Sequence, residues 1–82
     1  MKKHNFYPGP SIMPDATVEK TAEAVKELDG TGLSVMEISH RSKEFEGIIG
    51  DAQKMFKELL NIPDSYHVLF LGGGASLQFL MV

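Results

Sequence analysis

The sequence predicts an α/β fold, and three observations carry that prediction. Phe45, Ile48, Ile49, Ala52, Met55, Phe56, Leu59 and Leu60 recur at i, i+3, i+4 and i+7, which marks one apolar face of a helix. After a break at Asn61-Ile62-Pro63, the run Tyr66-His67-Val68-Leu69-Phe70-Leu71 has the length and apolarity of a buried strand. That run ends in Gly72-Gly73-Gly74, and helix-compatible sequence resumes from Leu77 to Val82. A strand apolar on both sides belongs in a parallel sheet covered on both faces, yet no other stretch offers it a convincing partner. The expected order is therefore loop, helix, loop, helix, buried strand, glycine-rich turn and helix start, with most of the sheet lying outside these residues.

The elements follow in chain order. Residues 1–14 form an irregular segment in this reading, because Pro8, Gly9, Pro10 and Pro14 disfavour regular structure, while Phe6, Tyr7 and Ile12 supply apolar anchors. Pro14 suits the first turn of a helix whose positive end is matched by Asp15 and Glu19. Val18, Ala22, Val25 and Leu28 mark its face, and Gly30 is the expected stop. Leu33 to Ser39 alternates only in part and fits an extended segment or a loop. Ser42 is the expected N-cap of the second helix, Asn61 its left-handed terminator, and Pro63 the barrier to its continuation. Gly47 and Gly50 each cost that helix about 0.8–1.0 kcal/mol relative to alanine, which a close backbone contact with another element would explain.

Composition narrows the function classes. At 82 residues there is room for one small domain with a thin core. Hydrophobic content of 43% and charged content of 23% fit a soluble globular protein, and no apolar run approaches the roughly 20 residues of a membrane span. The first residues lack the apolar centre of a secretory signal, so the expected location is cytoplasmic. A net charge of −3 with scattered basic residues argues against nucleic acid as a partner. With no cysteine, disulfides and thiolate metal sites are excluded within this segment, and the three histidines share no metal-ligand spacing with one another.

Two places could hold an anion. In the turn at Gly72-Gly73-Gly74-Ala75-Ser76, glycine lets the backbone approach a ligand, the following helix start offers unpaired N–H groups, and Ser76 adds a hydroxyl donor. The natural guest is a phosphate, although such turns also occur with no ligand. It is not a P-loop, since no Gly-Lys-Ser/Thr ending is present, and Leu77 stands where a dinucleotide fingerprint needs a third small residue. His40-Arg41 is the second place, because the guanidinium fork suits carboxylates and phosphates. A solvated pair before a helix is the plain alternative there. No serine sits in a nucleophile elbow, and Glu44 and Glu46 read as an exposed helix face.

Four blocks carry a family resemblance: Phe6-x-x-Gly9-Pro10-x-x-x-Pro14; Ser34-Val35-Met36-Glu37-Ile38-Ser39-His40-Arg41-Ser42-Lys43-Glu44-Phe45; Leu60-x-Ile62-Pro63; and Val68-Leu69-Phe70-Leu71-x-Gly73-Gly74-Ala75-Ser76-x-Gln78-Phe79. In this order they resemble the N-terminal part of the phosphoserine aminotransferase family, within class V of the fold-type I enzymes. The resemblance spans almost the whole chain, and its Ser39-His40-Arg41-Ser42 block is the specific part.

The resemblance implies the N-terminal portion of a fold-type I large domain, with residues 1–82 a fragment of a single aminotransferase domain. It implies pyridoxal 5'-phosphate as cofactor and amino transfer from glutamate to 3-phosphohydroxypyruvate in serine biosynthesis, by a homodimer with sites at the subunit interface. Gly74, Ala75 and Ser76 would hold the cofactor phosphate, and His40 and Arg41 the anionic substrate. Gly72 departs from the glutamine frequent in relatives, and Met13 from leucine. The family's Schiff-base lysine and ring-contacting residues match no position here, so no catalytic residue is assigned and the segment alone is expected to be inactive. A non-catalytic phosphate-binding or interaction module sharing only the turn is the rival expectation.

Overall fold

The computed structural model describes residues 2–82, which hold three helices: α1 over Asp15–Lys26, α2 over Lys43–Leu60 and α3 over Gly74–Met81. The chain divides into two compact units, Met1–His40 and Arg41–Val82.

In the first unit the proline-rich segment is irregular but closed by side chains. Asn5 Oδ1 accepts from the Tyr7 N–H at 2.9 Å, its Nδ2 donates to the Ser11 carbonyl at 3.0 Å, and Ser11 Oγ donates to the Asn5 carbonyl at 3.0 Å. Asparagine does this well because its short amide reaches main-chain groups nearby. Lys2 Nζ pairs with Asp15 Oδ1 at 2.7 Å and donates to the Met13 carbonyl, joining the segment to the start of α1. Pro14 stands one place before the helix, as its N-cap rather than within its first turn, and its carbonyl accepts from Thr17 and Val18.

α1 ends before the expected stop. Glu27 is already extended, so the helix closes at Lys26, and Gly30 instead serves a turn at φ +77°. The reason is a competing set of bonds: Leu28 N–H donates to the Leu33 carbonyl at 2.8 Å, Thr31 N–H to the Leu28 carbonyl at 2.8 Å, and Gly32 N–H to Glu27 Oε1 at 2.9 Å. Leu28 is the buried apolar residue among those described, at 8% exposure. Beyond it, Val35 N–H donates to the Ala24 carbonyl at 2.9 Å, and Ser34 to Glu37 form a turn, so residues 33–39 are loop and not strand.

The second unit begins with the best-defined helix. Ser42 Oγ accepts from Phe45 N–H at 3.2 Å, and Asn61 ends the helix in the left-handed region at φ 51°, ψ 46°. Ile62 N–H then returns to the Lys57 carbonyl at 2.9 Å, the bond that satisfies an orphan carbonyl at such a terminus. The glycines inside α2 meet open space, with nothing within 4 Å of a Cβ built at Gly47 or Gly50, so the expected close contact is not made by the described residues.

The expected buried strand also differs. Residues 67–71 take no regular secondary structure and have no ladder partner, no strand is formed among the described residues, and Leu69, Phe70 and Leu71 are exposed while Val68 is half-buried. A strand is stabilised by the neighbour that accepts its backbone bonds, and here no second segment does so. Two contacts from α2 hold the segment instead: Gln53 Nε2 donates to the Val68 carbonyl at 3.0 Å, and Phe56 meets Phe70 edge-on. Most of the α2 apolar face remains open, with Leu59 at 82% exposure.

Candidate functional site

The glycine turn enters α3 through the left-handed region. Gly73 lies at φ 106°, ψ 0° as the N-cap of α3, and Gly74 follows at φ 59°. Both conformations favour glycine, since L side chains rarely enter them. The three glycines are not equivalent. A Cβ at Gly73 would stand 2.0 Å from Leu77 Cδ1 and 2.6 Å from Leu77 Cβ, whereas one at Gly72 or Gly74 would meet nothing within 4 Å. The sequence does not rank the three glycines; the steric demand belongs to Gly73, because the first turn of α3 folds Leu77 back over it.

The N–H groups of Gly74, Ala75 and Ser76 open α3, and the first bond returning into the turn is from Leu77 N–H to the Gly73 carbonyl at 3.4 Å. Helix geometry leaves these leading donors without intrahelical acceptors, and the dipole adds positive potential at the same end. No side chain caps them, and no acidic residue lies in the first turn to compete with an incoming anion. Ser76 is exposed, with its hydroxyl available beside the same N–H groups. A hollow lined by Leu69, Leu71, Gly72, Gly74, Ala75 and Gln78 adjoins them. The hollow thus has Leu69 and Leu71 on its lining together with the start of α3 at Gly74 and Ala75.

His40 closes the first unit and Arg41 opens the second, immediately before the Ser42 cap, and both are exposed. Within the second unit, Arg41 lies two residues before α2. Among the described residues no group of three or more metal-binding side chains occurs, and no helix is long and apolar enough to cross a membrane. The sequence reading does not single out Gly73 among the three glycines, and it gives no role to Gln53, which lies 15 positions from the carbonyl it holds.

Comparison with known proteins gives a consistent result. The sequence model of the family described as Aminotransferase class-V matches residues 3–82. The phosphoserine aminotransferase of Phocaeicola vulgatus is 62% identical over 82 residues, covering 100% of this chain and 23% of its own length. A phosphoserine aminotransferase solved in a study of radiation damage to its Schiff base superposes with a TM-score of 0.89 at 45% identity, over 98% of this chain and 22% of that one. The phosphoserine aminotransferase of Trichomonas vaginalis, solved with PLP bound, superposes with a TM-score of 0.85 at 36% identity, over 95% and 23% of the two chains. The chain thus spans about a quarter of the length of the relatives it matches, and the likeness runs through every element rather than through the glycine turn alone.

Proposed function

This chain belongs to the class-V aminotransferase family, and from that premise we propose that its residues are the N-terminal part of a pyridoxal 5'-phosphate-dependent phosphoserine aminotransferase. The whole protein would transfer the amino group of glutamate to 3-phosphohydroxypyruvate, giving phosphoserine and 2-oxoglutarate. The observation that carries the reading is the turn from Gly72 to Ser76, in which Gly73 and Gly74 are left-handed and the start of α3 has no side-chain cap. The likeness along residues 3–82 disfavours a small non-catalytic module that shares only this turn.

The turn fits the cofactor's phosphate on its own chemistry. A phosphate presents several acceptors and negative charge, while the site presents donors, a positive dipole end and no competing carboxylate. When bound, pyridoxal phosphate supplies the electron sink through which amino groups are exchanged. The work of these residues is to hold and orient. The N–H groups of Gly74, Ala75 and Ser76 would hold the phosphate, Ser76 Oγ would donate to it, and Leu69 and Leu71 line the hollow beside them. Arg41, with His40, receives the anionic end of the substrate, the guanidinium making paired bonds to a carboxylate or phosphate.

Residues 67–71 would be a strand of the parallel sheet in the whole protein, where neighbouring strands accept the backbone groups left open here. On this reading the two compact units are parts of a single domain and residues 1–14 remain irregular. The protein would be a cytoplasmic homodimer in which the exposed faces of α2 and α3 are covered. The decisive experiment is to express the whole protein, measure its pyridoxal phosphate content by absorbance, and assay glutamate-dependent formation of phosphoserine. Cofactor uptake with saturable turnover is expected, and a folded protein that shows neither would overturn the reading.

A further inference from the structure

We infer that Gln53 of α2 is a positioning residue for the anion-binding turn, acting through the main chain of the segment that enters it; the inference rests on the reading of that turn as the cofactor-phosphate site. Gln53 and Phe56 are three apart on α2 and so share one face of the helix. Val68 and Phe70 are two apart in the segment that leads into the turn. The Gln53 carboxamide donates to the Val68 carbonyl at 3.0 Å, and the Phe56 ring meets the Phe70 ring with centroids 5.7 Å apart. One contact holds the main chain and the other a side chain two residues on, so together they fix both where the segment sits along α2 and which face it turns toward the helix.

Register matters here because residues 67–71 are read as a strand of the whole protein, and the side-chain period of a strand is two. A slip of one residue would rotate Phe70 away from α2, and the turn beginning at Gly72 would start from a rotated stem. The ring pair alone does not prevent a small slide, since edge-on rings tolerate displacement, whereas a hydrogen bond to one named carbonyl is directional. Gln53 is half-buried, which places the carboxamide where exchange of that bond with water is hindered. Gln53 does not line the hollow beside the turn, so its proposed effect runs through the main chain it holds. Its effect is preorganisation: with the bond in place, the N–H groups of α3 are aligned before the anion arrives, and binding does not have to order the stem.

The test uses the full-length holoenzyme, its apo form and pyridoxal phosphate as the probe. Gln53→Met and Gln53→Glu keep the length of the side chain and remove the donor, and Gln53→Lys keeps a donor on a longer stem. The first two should weaken cofactor affinity, measured by titration of the apo form, by roughly 2- to 12-fold, the fold-change equivalent of one net hydrogen bond, and should shift the phosphorus NMR signal of the bound phosphate. Gln53→Lys should restore both toward the parent values. Lowered thermal stability of the apo form with unchanged cofactor affinity and an unchanged phosphorus signal would show a merely structural role and overturn the inference, as would a Gln53→Lys variant no better than Gln53→Met. Ser76→Ala, tested beside them, separates the two levels: if it weakens cofactor affinity while the Gln53 variants do not, only the role of Gln53 fails, and if the parent takes up no cofactor at all, the reading of the turn itself fails.

Discussion

The rings of Phe56 and Phe70 meet edge-on, with centroids 5.7 Å apart and planes inclined at 62°. This contact fastens α2 to the segment that carries the glycine turn, and it does so while both side chains remain 48% exposed. Such a pair contributes about 0.5–1.5 kcal/mol beyond its buried area. A double-mutant cycle with Phe56→Leu and Phe70→Leu in the full-length protein should return a coupling energy in about that range from denaturant midpoints. Additive effects of the two substitutions would show that the rings do not act together.

Among the three glycines, Gly73 should be the least replaceable. Gly73→Ala forces a left-handed alanine and drives its Cβ into Leu77, whereas Gly72→Ala adds a methyl group to open space without either difficulty. The conformational strain alone is about 1–3 kcal/mol, and displacement of Leu77 adds to it. Thermal unfolding of the full-length variants should rank Gly73→Ala well below Gly72→Ala, with cofactor retention after dialysis following the same order. Equal stability of the two would contradict the geometry of the turn.

Ser76 is expected to give one hydrogen bond to the cofactor phosphate. Ser76→Ala should reduce cofactor affinity by roughly 0.5–1.5 kcal/mol, rising to about 3 kcal/mol if the full phosphate charge is felt. Because Ser76 is exposed and makes no bond that supports the fold, thermal stability of the apo form should stay at the parent value. A variant that retains pyridoxal phosphate through dialysis as well as the parent would remove Ser76 from the site.

Arg41 should act on substrate and not on cofactor. In the full-length enzyme Arg41→Ala is expected to raise KM for phosphohydroxypyruvate or for glutamate and leave pyridoxal phosphate content at the parent level. Arg41→Lys should recover only part of the loss, since a point charge lacks the planar fork that grips two oxygens at once. Steady-state kinetics with each substrate varied in turn checks both statements, and unchanged KM values in Arg41→Ala would assign the guanidinium to another task.

The isolated 82 residues should bind dyes that report exposed apolar surface and should exchange their amides quickly. The exposures of Leu60, Leu71, Phe79 and Leu80 run from 65% to 85%, far above what a settled core allows. They should also form no phosphoserine from glutamate and phosphohydroxypyruvate when supplied with pyridoxal phosphate, because no lysine here matches the family's cofactor-linking position. Turnover by the segment above a protein-free control would refute this.

What the sequence determined by itself is local. The cap at Ser42, the left-handed stop at Asn61 and the length of α2 between them follow from residues within a turn of one another, as does the irregular course of the proline-rich segment. The glycine turn and the helix after it are legible for the same reason, and the order of the blocks around His40-Arg41 and Gly73-Gly74-Ala75-Ser76 is enough to point to the family. The folded structure decided which groups actually meet, some of them near in the chain and one pair far apart. α1 stops at Lys26 instead of running to Gly30, because Leu28 finds the Leu33 carbonyl. The steric weight falls on Gly73 because Leu77 folds back over it, and Gln53 becomes a structural contact because the chain returns to bring the Val68 carbonyl within its reach. Residues 67–71 have the apolar pattern of a strand and yet remain without a ladder: side-chain pattern is a property of the segment, but a strand's hydrogen bonds belong equally to the neighbour that must accept them.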